Sequence, residues 1–392
     1  MTRAGEVFLV ALRLGLTSFG GPIAHLGYFE RRYVRELRWL DAEDYASFVA
    51  LCQVLPGPAS SQVGFLVGLH RAGAPGAIAA WLGFTLPSAL GIVAFARLAP
   101  SLQTPAAAAS MHGLKLAAVV VVAQAVWSMA RRLNADLPRA AIGVFGAVAM
   151  LATGGALAQL AVLLGGAVLG ALLCRDASWT WTRSQPLVSR RAATLAFVAF
   201  LALLVALPLL AQRSPHGWAA FADAFYRSGA LVFGGGHVVL PLLSDALVPG
   251  WLSADTFLAG YGAAQAVPGP LFTFAAYLGA VASAPGGTAF AAAAALVAVF
   301  LPGLLLAVAG VRGLDALARI PRAAGAIAGI NAAVVGLLAA AWYDPVWRSS
   351  VDDPADVAIV VAGFALLAWR RTPPIAVVAL CVAAAVLRGT FA

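Results

Sequence analysis

The sequence has little charge, and almost none of its positive charge comes from lysine. Only 10% of the 392 residues are Asp, Glu, Lys or Arg, whereas about a quarter is usual in soluble domains. Lys115 is the single lysine, so arginine supplies 24 of the 25 basic residues. The net charge of +9 does not indicate nucleic-acid binding, because the arginines lie in short loops between apolar runs. A sizeable soluble domain is excluded.

Cysteine and histidine are also scarce. Cys52, Cys174 and Cys381 are far apart and odd in number, which is not the pattern of a disulfide framework or a zinc site. The five histidines are scattered and form no ligand cluster in the sequence. No acid/base pair stands out within the apolar runs. We therefore predict a protein that is not an enzyme and that holds no metal or cofactor.

Apolar sequence is abundant instead. Hydrophobic residues make up 62% of the chain, and the mean hydropathy is +0.91. Runs such as 76–96, 114–130 and 288–310 match the roughly 20 residues that a helix needs to cross a bilayer core. Residues 1–21 lack a signal-peptide cleavage site, so they are predicted to be the first membrane segment. The fold class predicted is an all-α polytopic membrane protein.

The second half of the chain repeats features of the first half. Three pairs of features return in the same order and at nearly the same separation: Phe19-Gly20-Gly21 with Phe233-Gly234-Gly235, 53-QVLPGP-58 with 265-QAVPGP-270, and 113-GLKLAAVV-120 with 329-GINAAVVG-336. Ordered matches of this kind indicate an internal duplication. We predict an N-terminal membrane repeat over 1–174, a cytoplasmic linker over 175–191, a single span over 192–211 and a C-terminal repeat over 212–392.

The arginines indicate that the two repeats have opposite orientations. The loop 29–39 holds four arginines, while its counterpart 241–251 holds none. The loop 344–356 has four aspartates and one arginine, while the matching first-half stretch carries Arg131, Arg132 and Arg139. Arginine-rich loops stay in the cytoplasm, so matching loops lie on opposite sides of the membrane. The repeats are therefore predicted to be inverted, with a cytoplasmic N-terminus.

This orientation allows a complete membrane topology. Four segments are predicted to enter and leave the same side as hairpins, namely 6–29, 43–69, 217–247 and 255–281. Nine spans remain, near 76–97, 112–130, 137–152, 155–174, 192–211, 288–310, 323–342, 356–369 and 373–390. Whether the hairpins are re-entrant or cross fully is left open by the sequence.

Each repeat interrupts its apolar segments twice. The breaks are 20-GGP-22, 56-PGP-58, 234-GGG-236 and 268-PGP-270. Non-helical backbone is costly in lipid, so it occurs where protein buries it or water reaches it. A new helix after each break would expose N–H groups and a positive dipole end, which suits an anion. Paired broken helices in inverted repeats are typical of a transporter's binding site.

Arg13 and Arg227 are the strongest candidate ligands. Each lies six residues before the Phe of its Phe-Gly-Gly motif and inside an apolar segment. A charge at such a position indicates function, and the guanidinium fork suits an oxyanion. Snorkelling to the membrane interface is the alternative. Because the arginine recurs in both copies, we predict that both bind the anion.

Weaker candidates flank the Pro-Gly-Pro breaks. Gln53 and Gln265 could donate to an oxyanion or serve helix packing, and Ser60 and Ser61 could cap a helix or coordinate the ligand. The predicted anion-binding residues are Arg13, Gly20, Gly21, Gln53, Gly57, Ser60, Ser61, Arg227, Gly234, Gly235, Gln265 and Gly269. The predicted helix-break residues are Pro22, Pro56, Pro58, Gly236, Pro268 and Pro270.

The motifs resemble those of the chromate ion transporter family. The resemblance lies in 18-SFGGPIAHLGYFERRYV-34, 51-LCQVLPGPASSQVG-64 and 84-FTLPSA-89, with a weaker second-half version at 233-FGGGHVVLPLL-243 and 265-QAVPGP-270. It covers nearly the whole chain and implies a two-domain member in a bacterial inner membrane. It also implies chromate export driven by the proton motive force, and hence chromate resistance. The second half departs from the first in having Gly236 where Pro22 stands and Val239 where His25 stands.

Other functions fit the same residues. A sulfate transporter, including an importer, would need the same site, because the two dianions share charge and shape. A passive anion channel could line its pore with the same four breaks. The expected partners are therefore chromate or a sulfate-like dianion, protons as coupling ion and the lipid bilayer, but not nucleic acid. A homodimer is left open.

Overall fold

The structure is a computed structural model that describes residues 2–19, 21–99, 104–176, 187–234, 236–282, 287–318, 320, 322–370 and 372–391. All regular elements in these residues are helical, which confirms the predicted fold class. In chain order the α-helices are α1 Arg3–Thr17, α2 Gly21–Phe29, α3 Ala42–Val54, α4 Ala59–Leu98, α5 Pro105–Leu133, α6 Leu137–Thr153, α7 Gly155–Leu173, α8 Arg190–Ala211, α9 Trp218–Ala230, α10 Val239–Leu247, α11 Ala254–Ala264, α12 Phe274–Val281, α13 Thr288–Ala318, α14 Ala323–Ala341, α15 Pro354–Arg370 and α16 Pro374–Phe391.

Five of the described helical segments are long and apolar enough to cross a bilayer. They are Ala59–Leu98, Pro105–Leu133, Arg190–Ala211, Thr288–Gly313 and Ala323–Trp347, and six shorter apolar helices accompany them. The first is bent, because Ala72 and Gly73 leave the helical conformation and Gly73 has a φ of 65°. The bend lies just before the predicted span 76–97. The segments indicate a multi-pass membrane protein.

Polar side chains set several helix starts. Thr2, Asp41, Asp136 and Ser189 each accept a hydrogen bond from a backbone N–H in the first turn of the helix that follows. Such a cap satisfies a donor that has no partner within the helix. The caps therefore fix where α1, α3, α6 and α8 begin after the polar connections.

The predicted Phe-Gly-Gly breaks occur at equivalent places in both halves. α1 ends at Thr17, and Ser18 is extended before Gly21, at a φ of 78°, begins α2. α9 ends at Ala230, and Gly234 has a φ of 77° before the chain becomes helical again. A positive φ is readily adopted only by glycine. Gly20 and Gly235 lie outside the described residues.

Helices of the two halves are interleaved. α1 to α4 form a core around Val7, Phe29, Phe48 and Phe84. The later first-half helices pack on the second half: α5 contacts α11, α14, α15 and α16, and α14 lies against both α6 and α7. The halves are therefore not separate globular units.

The ends of α5 mark two faces of the molecule. In the first half of this helix, Lys115 Nζ contacts Asp255 Oδ1 at 2.7 Å and the Ser349 carbonyl at 3.1 Å. Its last turn carries Arg131 and Arg132. We call the end with Asp255 and the segment 344–356 the acidic face, and the end with Arg131 and Arg132 the basic face.

Candidate functional site

The Pro-Gly-Pro break of each half is hydrogen-bonded to the Phe-Gly-Gly break of the other half. The Gly57 N–H donates to the Val232 carbonyl at 2.7 Å, and the Gly269 N–H donates to the Ser18 carbonyl at 2.9 Å. Ser18 and Val232 each directly precede the Phe of their Phe-Gly-Gly motif, and Gly57 and Gly269 are each the central residue of a Pro-Gly-Pro motif. Donor and acceptor therefore occupy matching positions of the two repeats, so the two bonds are equivalent.

Glycine is required at the donor position of both bonds. Gly57 has a φ of 121° and Gly269 a φ of 101°, which side chains rarely allow. A Cβ on Gly57 would also lie 2.9 Å from Gly303 Cα, and one on Gly269 would lie 2.8 Å from Ser88 Oγ. Gly303 belongs to α13 and Ser88 to α4, so each turn packs on a helix of the opposite half.

Gln62 adds a further link between the halves. Its side chain is fully buried, and Nε2 donates to the Pro56 carbonyl at 3.0 Å and to the Gly303 carbonyl at 2.9 Å. The carbonyls belong to a first-half turn and a second-half helix. Because the only N–H of each Pro-Gly-Pro turn is already hydrogen-bonded, these turns join the halves and offer no free backbone donor in this structure.

A cavity of about 580 Å³ lies between the two Phe-Gly-Gly breaks. Gly21 and Pro22 line it from the first half, and Gly234, Gly236 and Gln265 line it from the second. The other lining residues are Phe19, Ala24, Tyr28, Val121, Gln124, Ala125, Ser128, Met129, Arg132, His237, Leu367, Thr372, Pro373 and Pro374. This inner cavity lies at the basic face and has the size of a small-molecule site, about 300–1,000 Å³.

The inner cavity contains polar groups that lack partners. Gln124 Oε1, Gln265 Nε2 and Thr372 Oγ1 are buried and make no hydrogen bond within the described residues. Buried polar groups are normally satisfied, so water or a polar ligand is expected to occupy the space. Among the described lining residues, Arg132 is the one Arg, Lys, Asp or Glu. His237 also lines the cavity, and its Nδ1 lies 2.7 Å from the Tyr261 hydroxyl. The cavity therefore favours an anion.

A small adjoining cavity, of about 30 Å³, extends the inner cavity toward the hydrogen bond from Gly269 to Ser18. It shares Gly21, Gln265 and His237 with the larger one and reaches Ser18 and Gly269. Ser18 Oγ is buried and makes no hydrogen bond within the described part of the chain. The site and the link between the halves are thus contiguous.

The predicted arginines lie elsewhere. Arg13 is exposed on α1, and Arg227 is 40% exposed on α9, where it forms an ion pair with the buried Asp223. Neither lines the inner cavity. The first-half position equivalent to Asp223 is Leu9, so only the second-half arginine has this carboxylate one turn away.

The remaining predicted residues are divided between the cavity and the core. Gln265 lines the cavity, whereas Gln53 is exposed on α3. Ser60 and Ser61 are buried at the start of α4, and Ser60 Oγ lies 3.3 Å from His25 Nδ1. Of the break residues, Pro22 and Gly236 line the cavity, while Pro56, Pro58, Pro268 and Pro270 flank the two donor glycines.

Sequence reasoning missed the contribution of α5. Gln124, Ser128 and Arg132 recur at every fourth position, which places them on one face of the helix. That polar stripe within an apolar run was a usable signal. In the sequence, Arg132 served only to orient the helix in the membrane. The positive-inside rule counts charges in loops and does not predict where an arginine side chain points.

One group of side chains on the acidic face has the composition of a metal site. Potential ligand atoms of His112, Asp352 and Asp356 lie within 4.8 Å of one another. Arg388 Nη1 contacts Asp356 Oδ1 at 2.9 Å, and His112 Nε2 contacts the same oxygen at 3.0 Å. The Arg388 guanidinium already neutralises the Asp356 carboxylate, so these side chains form an ion-pair network that joins α5, α15 and α16.

Broken helices that enclose a polar cavity within an apolar bundle define a helical membrane transport protein. The chain belongs to the chromate transporter family, which matches residues 5–171 and again 219–386. It is 29% identical to the chromate transport protein of Pseudomonas aeruginosa over 96% of this chain and 90% of that protein. It is 27% identical to the chromate transport protein of Cupriavidus metallidurans over 93% of this chain and 88% of that protein. No solved structure matches the chain.

Proposed function

We propose that the protein exports chromate from the cytoplasm as a secondary active transporter driven by the proton motive force, and so confers chromate resistance. The observation that carries the proposal is the inner cavity, which both Phe-Gly-Gly breaks line and which holds Arg132 and several unpartnered polar groups. Membership of the chromate transporter family and the names of the curated relatives support chromate as the substrate.

The arginine distribution supports the direction. The inner cavity lies at the basic face, where α5 ends with Arg131 and Arg132, and its lining includes Tyr28, two residues before the arginine-rich segment 30–38. By the positive-inside rule this face is cytoplasmic, and so is the N-terminus. In a bacterial inner membrane, the cavity would then face the compartment from which chromate must be removed.

The dianion would be bound by charge and by hydrogen-bond donors together. Arg132 supplies a permanent positive charge, and Gln265 Nε2 and the Thr372 hydroxyl are donors without partners in the described residues. The Phe-Gly-Gly breaks bring the backbone close to the same space. Sulfate has the same charge and shape, so its competition measures the selectivity of the site.

Arg13 and Arg227 remain proposed ligands, and their positions limit how they would act. Each would have to approach the dianion in a conformation other than the one described, because neither lines the inner cavity. In that conformation, Arg227 would exchange the Asp223 carboxylate for the substrate.

The test is chromate uptake into inverted membrane vesicles from cells that express the protein. NADH would energise the vesicles, with and without an uncoupler and with and without excess sulfate. Accumulation that the uncoupler abolishes is expected for active export. Uptake that persists with the uncoupler would indicate a passive channel, and uptake no greater than in control vesicles would contradict the proposal.

A further inference from the structure

A second cavity, of about 330 Å³, lies at the acidic face. The end of α14 contributes Ala341, and Asp344 follows it. The turn between α6 and α7 contributes Gly154, and α10 contributes Ser244 and Asp245. We call this the outer cavity, and the function proposed above leaves it without a role.

The outer cavity is the repeat counterpart of the inner cavity. The matching motifs 113–120 and 329–336 set the alignment of the two repeats in this region. The same alignment, continued without a gap, pairs residues of the inner lining with residues of the outer lining: Val121 with Leu337, Gln124 with Ala340, Ala125 with Ala341, Ser128 with Asp344, Met129 with Pro345 and, in the reverse direction, Leu367 with Leu151. So many pairs in one alignment show that the same structural elements build both cavities.

The two cavities lie at opposite faces of the bundle. The inner one reaches Arg132 at the end of α5 and Thr372 in the turn between α15 and α16. The outer one reaches Gly154 in the turn between α6 and α7, and α6 begins at the face where α5 ends. A cavity at each face, built from equivalent elements of inverted repeats, is the arrangement expected for the two ends of one alternating-access pathway.

The side chains that differ between the cavities change the charge. Gln124 is replaced by Ala340, so an amide is lost, and Ser128 is replaced by Asp344, so a carboxylate is gained. Asp245 adds a second carboxylate to the outer lining. Among the described lining residues, the inner cavity contains an arginine and no carboxylate, and the outer cavity contains two carboxylates and no arginine.

Neighbouring groups only partly offset this negative charge. Arg348 Nη1 contacts Asp344 Oδ2 at 2.8 Å, on the exposed surface. Arg227 acts on Asp245 at longer range, and Arg227 is already paired with Asp223. The outer cavity therefore remains an unfavourable place for a dianion.

We propose that the outer cavity is the exit vestibule of the transport pathway, where Asp245 and Asp344 weaken the binding of the released oxyanion and oppose its re-entry. The proposal rests on oxyanion transport through the inner cavity, and it assigns the two cavities opposite affinities. The duplicated elements provide a route to either face, and the divergent charges make that route favour one direction.

Labelling tests the position of the outer cavity without any transport. Ser128→Cys in the inner cavity and Leu151→Cys in the outer cavity would each be made after Cys52, Cys174 and Cys381 are replaced by alanine. A membrane-impermeant maleimide should label Leu151→Cys in right-side-out spheroplasts and Ser128→Cys in inverted vesicles. Labelling of both from the same side would overturn the proposal, whether or not the protein transports chromate.

Kinetics tests the role of the two carboxylates. The doubly substituted Asp245→Asn/Asp344→Asn protein would be compared with wild type for downhill chromate entry into de-energised spheroplasts and for uptake into inverted vesicles. The ratio of the outer to the inner half-saturating concentration should fall about fivefold, because two negative charges are removed on one side only.

Asp255→Asn is the matched control, since Asp255 is an exposed carboxylate of the acidic face that pairs with Lys115 and does not line the cavity. Its ratio of half-saturating concentrations should stay within about twofold of wild type, because a solvent-exposed charge outside the cavity is largely screened by salt. If the ratio of half-saturating concentrations is unchanged in the doubly substituted protein, the outer cavity is not the exit vestibule. Absence of chromate uptake by wild-type vesicles would instead contradict the proposed function.

Discussion

The two halves share their backbone links but differ in their charged side chains. The bond from Gly57 to Val232 has an equivalent in the bond from Gly269 to Ser18, and both donor glycines have a positive φ. In contrast, Arg227 has Asp223 one turn away, whereas the equivalent Arg13 has Leu9.

The cavities show the same division. Equivalent elements line both, yet the inner lining contains Arg132 and the outer lining contains Asp245 and Asp344. The duplicated backbone thus links the two halves in the same way at both breaks, while the side chains that diverged give the two cavity linings opposite charge. The predictions that follow test this division, beginning with the shared backbone.

The largest effect is expected from alanine at the donor glycines. Gly57→Ala or Gly269→Ala would place a Cβ in steric conflict with the opposite half at an unfavourable φ. Each should destabilise the protein by about 3 kcal/mol, seen as a lower unfolding temperature in detergent. Gly27→Ala is the control, because a Cβ there meets nothing within 4 Å. Equal unfolding temperatures for all three variants would show that the turns at Gly57 and Gly269 do not stabilise the packing of the two halves.

The paired arginine should matter more for stability than the unpaired one. Arg227→Ala leaves the buried Asp223 without its partner and should cost about 2 kcal/mol, whereas Arg13→Ala on an exposed position should cost less than about 0.5 kcal/mol. Both should abolish chromate uptake if both arginines bind the anion. The measurements are thermal unfolding in detergent and uptake into inverted vesicles.

A double substitution would sharpen this comparison. Asp223→Leu together with Arg227→Ala copies the apolar Leu9 of the first half at the carboxylate position. It should recover most of the stability that Arg227→Ala loses, because no buried charge is left unpaired. Recovery of transport as well would mean that Arg227 has a structural role only.

Gln62 has no counterpart in the second half, where the repeat places Phe274. Gln62→Leu would leave the Pro56 and Gly303 carbonyls without their donor and should cost about 1–2 kcal/mol. Gln53→Leu, on the exposed side of α3, should change stability by less than about 0.5 kcal/mol. Thermal unfolding of the two variants side by side distinguishes the bridging amide from an ordinary surface amide.

The smallest effect concerns the acidic face. A hydrogen bond from the backbone N–H of Asp356, and then the contact with Arg388, lower the pKa of the Asp353 carboxyl. A lowered pKa stabilises the folded state at a pH above the usual carboxyl value, and this contribution is lost as the pH falls through the lowered value. The stability difference between wild type and Asp353→Asn should therefore shrink on acidification. A stability difference that grows on acidification would contradict a lowered pKa for the Asp353 carboxyl.

Much of the fold followed from the sequence, because local signals specify it. Apolar runs, glycine and proline breaks and the matching motifs predicted an all-helical protein with interruptions at Gly21, Gly57, Gly234 and Gly269. The structure has these glycines at positive φ.

The partners of these breaks did not follow from the sequence. The free N–H groups expected at Gly57 and Gly269 are bonded to carbonyls of the opposite half, at Val232 and Ser18. The side-chain direction of Arg13 likewise depends on which face of α1 packs against α4, where Gly15 lies close to the Phe84 carbonyl. Contacts of this kind arise only when distant segments fold together, so periodicity does not predict them.

Two adjacent arginines test directly whether the inner cavity binds the transported oxyanion. Arg132 lines the cavity, whereas Arg131 lies 5.9 Å from the ring of Trp127 and does not line it. Chromate uptake into energised inverted vesicles would be measured for Arg132→Gln and Arg131→Gln at equal protein levels. Arg132→Gln is expected to lose at least about tenfold in uptake at low chromate, as for a lost charged hydrogen bond, while Arg131→Gln should stay near wild type. Equal chromate uptake by the two variants would contradict binding of the oxyanion in the inner cavity.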